Sequence, residues 1–230
     1  MQTVTNTRLV ESRGKWGKRL TWIGLFFLFG AVFMPFRPEL VPWSWPVMIF
    51  GFVVTNLGMF YFNRYVRPPL PQDILDKELK GLDNRYRLFN YLGPVEHVLI
   101  TPTGVLAITI RRMSGDIRCR GEKWSMKTGL LNKLRFFSED QLGNPSYDLR
   151  RDVSKVQNLL ESRLPAADGE KPVPIGGFVF FSNPDANLSI EDASVRVLNT
   201  KNMKDYLRKL ATGERLSPAR SEAIAKVLGG

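Results

Sequence analysis

Two uncharged apolar runs constrain this chain more than any other feature: Leu20 to Phe36 (LTWIGLFFLFGAVFMPF) and Val41 to Phe62 (VPWSWPVMIFGFVVTNLGMFYF). At about 1.5 Å per residue the first makes about 26 Å of helix and the second about 33 Å, against a bilayer hydrocarbon core of about 30 Å. Neither run has a polar face, which argues against two buried helices of a soluble core. The first run ends in Met34-Pro35-Phe36-Arg37 without a small-x-small cleavage site, and a second run follows it, so a retained helical hairpin is expected rather than a signal peptide. The expected organisation is a basic segment 1–19, then a transmembrane hairpin 20–66 with helices at about 20–36 and 45–62.

The positive charge is placed to orient such a hairpin. Residues 1–70 carry eight basic and two acidic side chains, whereas 71–230 carry 25 and 20. Arg8, Arg13, Lys15, Lys18 and Arg19 precede the first run, Arg64, Arg67, Lys77 and Lys80 follow the second, and the connection holds only Arg37 and Glu39. Lys and Arg near membrane helices stay on the cytoplasmic side. A multi-pass protein of the cell membrane is therefore expected, with the lipid bilayer as its first partner and with both termini and the soluble domain in the cytoplasm. Trp16, Trp22, Trp43, Trp45, Tyr61 and Tyr65 fall where an interfacial aromatic belt would put them. Asn56, the one strongly polar residue well inside a span, lies near Gly51, Thr55 and Gly58 and is expected to bond to the neighbouring helix rather than line a pore, while the transmembrane helices offer a homo-oligomer as a further partner.

Arg67-Pro68-Pro69-Leu70-Pro71 cannot continue a helix and reads as a stiff linker, 67–72. Beyond it the period of the apolar residues announces a soluble domain over 73–198 and C-terminal helices over 199–230. Ile74, Leu75, Leu79 and Leu82 share a helical face. Tyr86–Leu92, Val95–Ile100 and Val105–Ile110 read as consecutive antiparallel strands between turns at Gly93-Pro94 and Pro102-Thr103-Gly104. A short strand Ile117–Arg120 comes next, and a polar, irregular stretch runs from Ser125 to Tyr147. Leu149 to Leu164 has helical spacing, Ile175–Phe181 and Val195–Leu198 read as strands, and two helices at about 201–210 and 218–227 close the chain. One Cys and one His exclude a disulfide framework and a Cys/His zinc site, and any catalytic triad would have to use His97.

The run from Val95 to Ile108 (VEHVLITPTGVLAI), then Ser114-Gly115-Asp116-Ile117, Gly121-Glu122-Lys123-Trp124 and Asn144-Pro145 before a long helix, resembles the nuclease-related domain (NERD) family. The resemblance covers about residues 73–182. It implies an α/β fold, a restriction-endonuclease-like mixed β-sheet flanked by helices and preceded here by the two-helix hairpin. It also implies PD-(D/E)xK chemistry, in which an Asp and a Glu on adjacent strands hold Mg²⁺ and a Lys two residues further on supports the attacking water. Carried over, the Asp position is Glu96, the Glu position is Thr109, the Lys position is Arg111, and a family glutamine after Asn-Pro is Asp148.

Those replacements are expected to silence hydrolysis. Glu96 could still bind a metal, but Thr109 removes a carboxylate, and Arg111 cannot exchange protons as a Lys can. No cofactor is then expected, and the function read from the sequence is binding or scaffolding at the membrane, with nucleic acid, anionic lipid or a membrane-associated protein as partner. The alternative is a Mg²⁺-dependent nuclease using Glu96 and a rearranged acid such as Asp73, Asp116 or Asp148. Arg111, Arg112, Arg118 and Arg120 are expected on paired strands, as either a phosphate-facing patch or a solvated basic surface, joined by Lys127, Lys133, Arg135, Arg150 and Arg151. Strand alternation sets His97 on the opposite face from Glu96, which makes it structural, and Cys119 has a packing role or a thiol made reactive by its basic neighbours.

Overall fold

The computed structural model describes residues 1–127, 142–165 and 171–229. Lys133 and Arg135 of the expected basic surface lie outside them. The described residues divide into two compact units, one formed by residues 7–70 and one by residues 1–6, 71–127, 142–165 and 171–229.

In the first unit, helix α1 (Thr7–Phe33) and helix α2 (Val41–Tyr65) run antiparallel and are joined by two 3₁₀ turns, Met34–Phe36 and Pro38–Leu40. Both are long and apolar enough to cross a membrane. Helix α1 begins well before the apolar run, so the basic residues from Arg8 to Arg19 are part of it. At 27 and 25 residues the two helices are about 40 Å and 38 Å long, more than a bilayer core requires. The helices touch along small residues. A Cβ on Gly24 would lie 2.5 Å from the Thr55 amide nitrogen, so only glycine permits this approach. Thr21 and Thr55 donate their hydroxyls to Gly17 and Gly51, each within its own helix. Asn56 does the same, donating at 2.8 Å to the Phe52 carbonyl, so the expected bond to a neighbouring helix is not what satisfies it. The carbonyl one turn back is the nearest acceptor for a short polar side chain on a helix. Trp22, Phe26, Phe29, Phe33, Trp43 and Trp45 face outward.

The second unit is built on a six-stranded mixed sheet in the order β1-β2-β3-β4-β7-β9. Its strands are β1 (Gln2–Thr5), β2 (Arg87–Asn90), β3 (His97–Thr101), β4 (Gly104–Arg111), β7 (Ile175–Phe181) and β9 (Val197–Asn199). β2, β3 and β4 are antiparallel, as their spacing predicts, while β1, β7 and β9 pair in parallel with β2, β4 and β7. Alternation divides the core. Val98, Ile100, Val105, Ala107, Val179 and Phe181 face α4 (Pro145–Arg163) and α6 (Pro218–Gly229). Leu88, Leu99, Leu106, Ile108, Phe178 and Phe180 face α3 (Pro71–Leu79) and α5 (Met203–Leu210). The result is the expected mixed sheet flanked by helices on both faces.

A second sheet, in the order β6-β5-β8, holds β5 (Gly115–Arg120), β6 (Lys123–Lys127) and β8 (Ala186–Glu191). It was not expected: Ser125–Lys127 is strand rather than irregular chain, and β8 has no counterpart in the sequence reading. Ile117 and Cys119 alternate inward, and Trp124, Met126 and Leu188 pack on the same core cluster, while Arg118 and Arg120 point out. Strands β4 and β5 belong to different sheets, so Arg111 and Arg118 do not sit on paired strands.

The close approach of the two long helices gives a direct test. Gly24→Val should lower the melting temperature of the detergent-solubilised chain, consistent with an overpacking cost of about 1–3 kcal/mol, because the added atoms meet Thr55. Gly30→Val on the same helix should leave it within a degree, since nothing lies within 4 Å of that Cβ.

Candidate functional site

The antiparallel register of β3 and β4 pairs Val98 with Ala107 and Thr101 with Gly104. Glu96 immediately precedes β3, and its carbonyl accepts from the Tyr91 amide at 2.7 Å. Thr109 and Arg111 are two apart on β4 and share the face on which α4 lies. Helix α4 starts at Asn144, whose side-chain oxygen accepts from the Tyr147 amide at 3.0 Å, with Pro145 in its first turn. Ser146 accepts from the Trp124 indole at 2.8 Å, and Trp124 stacks on Phe181. At Gly177 on β7 a Cβ would meet Leu149 at 2.7 Å, so α4 lies close on the sheet there. These contacts place Asp148 and Asp152, one helical turn apart, at the end of the sheet where Thr109 and Arg111 emerge.

Arg111 decides the electrostatics. Its side chain is 15% exposed and its guanidinium lies 2.5 Å from Asp148, with further bonds to the carbonyls of Leu142 and Ile110. Arg151 approaches Asp148 at 3.6 Å and Asp152 at 3.5 Å. Burial pushes the Asp152 carboxyl above its ordinary value, opposed by Arg151 and Lys155 and reinforced by the negative charge of Glu96. Glu96 and Asp152 therefore face one another electrostatically. Thr109 is buried, and its hydroxyl has no hydrogen-bond partner among the described residues.

The structure thus joins Arg111 to Asp148, sets Thr109 on the same strand face, and adds Asp152, which the sequence reading missed and whose carboxyl feels the charge of Glu96. The spacing of Asp152 four from Asp148 on a helical pattern was the available signal. Asp73 and Asp116 are not part of the site. Asp73 is exposed on α3, whose apolar residues cover the opposite face of the sheet, and Asp116 accepts from Asn187 on the outer face of the small sheet. His97 is 1% exposed and bonds through Nδ1 to Asn90 at 2.8 Å, with Tyr91 against its ring. Cys119 is buried facing the core, and burial pushes its thiol up, which is the reverse of activation.

The residues present do not fit a divalent cation. Among the described residues no three His, Cys, Asp or Glu side chains are grouped to hold a metal ion. Thr109 offers only a neutral hydroxyl, and a guanidinium already rests on Asp148. A hard cation needs several free carboxylate oxygens, and a fixed positive charge beside them opposes its arrival.

Comparison with known proteins agrees with the motifs. Residues 72–182 match the family model described as nuclease-related domain (NERD). No curated protein and no solved structure matches the chain.

The Asp152 shift carries a signed test. A carboxyl raised above its unfolded value destabilises the fold at pH values where it is ionised, and that penalty fades as pH falls through the folded value. Asp152→Asn should therefore be at least as stable as the parent at pH 7, and the difference should shrink by pH 4. Thermal melts at the two pH values measure it, and a large loss at pH 7 would mean that the ionised form is the stabilising one.

Proposed function

We propose that this chain, whose residues 72–182 are a nuclease-related domain, is a membrane-anchored module that binds rather than cuts. The observation that carries this reading is the Arg111–Asp148 ion pair at the centre where the family's chemistry would place a Lys and a metal. Arginine keeps the charge and loses the proton exchange, and Thr109 withdraws one of the two carboxylates. The partner classes that this basic chain favours are nucleic acid, anionic lipid and protein, since 33 basic against 22 acidic residues leave an excess of +11.

The membrane reading has two supports. One is the pair of apolar helices with their outward aromatic residues. The other is a closure within the sheet: β1 precedes α1 and pairs with β2, which follows α2, so the chain leaves for the hairpin from one sheet and returns to it. Both ends of the hairpin then belong to one side of the membrane, and the concentration of Lys and Arg there makes that side cytoplasmic. The nuclease alternative would draw on Glu96 and Asp152, since the charge of Glu96 is felt at the Asp152 carboxyl.

Two experiments test the reading. On intact cells, a cysteine at Glu39 should react with an impermeant maleimide while one at Glu161 should not, and the opposite pattern would end the cytoplasmic assignment. In nanodiscs, the full chain should show neither Mg²⁺- or Mn²⁺-dependent DNA cleavage nor a rise in melting temperature with these ions. The double change Thr109→Glu with Arg111→Lys should introduce a stabilisation that grows with ion concentration. Divalent-dependent cleavage by the parent that disappears in Glu96→Ala would replace this proposal with the nuclease.

A further inference from the structure

The small sheet presents to solvent a face whose composition follows from its register. β5 lies between β6 and β8, so each outward residue of β5 has one neighbour on either side. Arg120 stands between Lys123 and Glu191, Arg118 between Ser125 and Ser189, and Asp116 between Lys127 and Asn187. The first two rows line an open concavity of about 520 Å³. They hold three cations and one acid. The acid, Glu191, lies 3.9 Å from Arg120 with both side chains well exposed, a weak pairing.

This arrangement is unfavourable without a ligand. Arg120 and Lys123 are directly opposed across the strands, and like charges in that position destabilise a sheet. Arg118 and Arg120 are two apart on one strand and share the face. Among the described residues Arg118 and Lys123 have no ion pair, and the hydroxyls of Ser125 and Ser189 are not committed to any hydrogen bond. The third row differs, because Asp116 sits beside Lys127 and accepts from Asn187 at 2.9 Å. The unbalanced positive charge is therefore confined to the concavity.

A guanidinium flanked by two hydroxyls, with an ammonium, a second guanidinium and a single carboxylate in the next row, is a set in which charged donors outnumber charged acceptors three to one. A compact dianion with several acceptor oxygens meets that set and removes the repulsion at once. Among the described residues the face carries no aromatic side chain on which a base could stack, so the recognition proposed is of the phosphate alone. The sheet behind it is anchored by Ile117 and Cys119, both buried, and by Trp124, Met126 and Leu188. Glu122, in the turn between β5 and β6, is bound by Arg150 and Ser194, which hold its carboxyl down to about 2 and tie this turn to α4.

We propose that the outer face of the three-stranded sheet is a binding site for a soluble phosphate monoester, with Arg118 at its centre, Arg120 and Lys123 beside it, and Ser125 and Ser189 as flanking donors. The proposal deepens the binding reading given above and rests on it, but it places the ligand on the small sheet, away from Glu96 and Asp148.

The test uses the full chain in nanodiscs of zwitterionic lipid, with inorganic phosphate and a nucleoside 5′-monophosphate as probes and the unphosphorylated nucleoside as control. Both phosphates should bind by calorimetry and raise the melting temperature in the absence of divalent ions, and the nucleoside should do neither. Arg118→Gln should weaken binding by about tenfold or more, the loss of a charge-assisted hydrogen bond, and Ser125→Ala with Ser189→Ala should weaken it less. Lys127→Gln, in the balanced row, should leave it unchanged. Without ligand, Arg118→Gln and Lys123→Gln should melt no lower than the parent, because each relieves repulsion, so lost binding is separable from lost folding. Absence of phosphate binding, or binding unaltered in Arg118→Gln, overturns the site and leaves the non-hydrolysing reading standing. Binding seen only with Mg²⁺ and abolished by Glu96→Ala overturns the site and counts against that reading as well. A further arm with phosphatidic acid in the nanodisc distinguishes sources: competition against soluble phosphate through Arg118, with no binding of soluble phosphate in zwitterionic discs, would assign the face to lipid and overturn the soluble ligand.

Discussion

Strand β4 is the constraint on which the soluble unit depends. It is paired on both edges, antiparallel to β3 and parallel to β7, and from Gly104 to Thr109 it is buried on both faces. Its odd positions feed the core under α4 and its even positions feed the core under α3 and α5. A shift of one residue would exchange the two sets and drive Arg111 into the layer of Phe178 and Phe180. The ladder that builds the core is thus the same one that carries Thr109 and Arg111 to the strand end where Asp148 meets the guanidinium. Core and site share a single register, and neither can be altered without the other.

The consequence at that strand end is a charge that must be answered. A guanidinium held to 15% exposure loses most of its hydration, and it is tolerated where a carboxylate and carbonyl oxygens replace the lost water. Such pairs contribute little net stability compared with apolar packing, yet removing one partner strands the other. The site contains Glu96, Asp148 and Asp152 on one side of the balance and Arg111, Arg151 and Lys155 on the other. With the protein's own cations answering its acids, little net field remains to draw in a divalent ion, which supports the reading of a module that no longer hydrolyses. The raised carboxyl of Asp152 is the residue of imbalance, caused mainly by burial rather than by its neighbours.

What could be read from the sequence was what local period encodes. The apolar runs, strands β2 to β4 and helix α4 each repeat within a dozen residues, and the Asn144-Pro145 start of α4 is a local cap. The parallel pairings were not legible, because β1 and β2 are joined by more than eighty residues of chain and β5 and β8 by about seventy. Ala186–Glu191 is half exposed and carries no continuous apolar run, so only its partner β5 makes it a strand. The basic cluster is expected as one patch because the strands carrying Arg111, Arg112, Arg118 and Arg120 are expected to pair. Between them Gly115, at φ +99°, begins the strand of a different sheet, and the patch divides. Arg111 is held by Asp148, while Arg118 and Arg120 face solvent.

The strand that sequence reading missed also alters how the apolar hairpin is understood. Pairing β1 with β2 across so long a separation has a high closure cost if the intervening chain is free. It is not free, because α1 and α2 associate along Gly24 and Thr55, and at the hairpin's open end Gly14 lies against Tyr65 and Val66 while Arg13 donates to the Tyr65 hydroxyl at 2.7 Å. A formed hairpin thus brings the chain just after β1 next to the chain just before α3, and the effective loop that β1 must close shrinks from the whole excursion to its two short flanks. Thr3 and Asn6 then complete the edge by bonding to Asp76 and to the Tyr91 carbonyl. Helix association therefore shortens the effective loop across which β1 pairs with β2, and so lowers the entropy cost of that pairing.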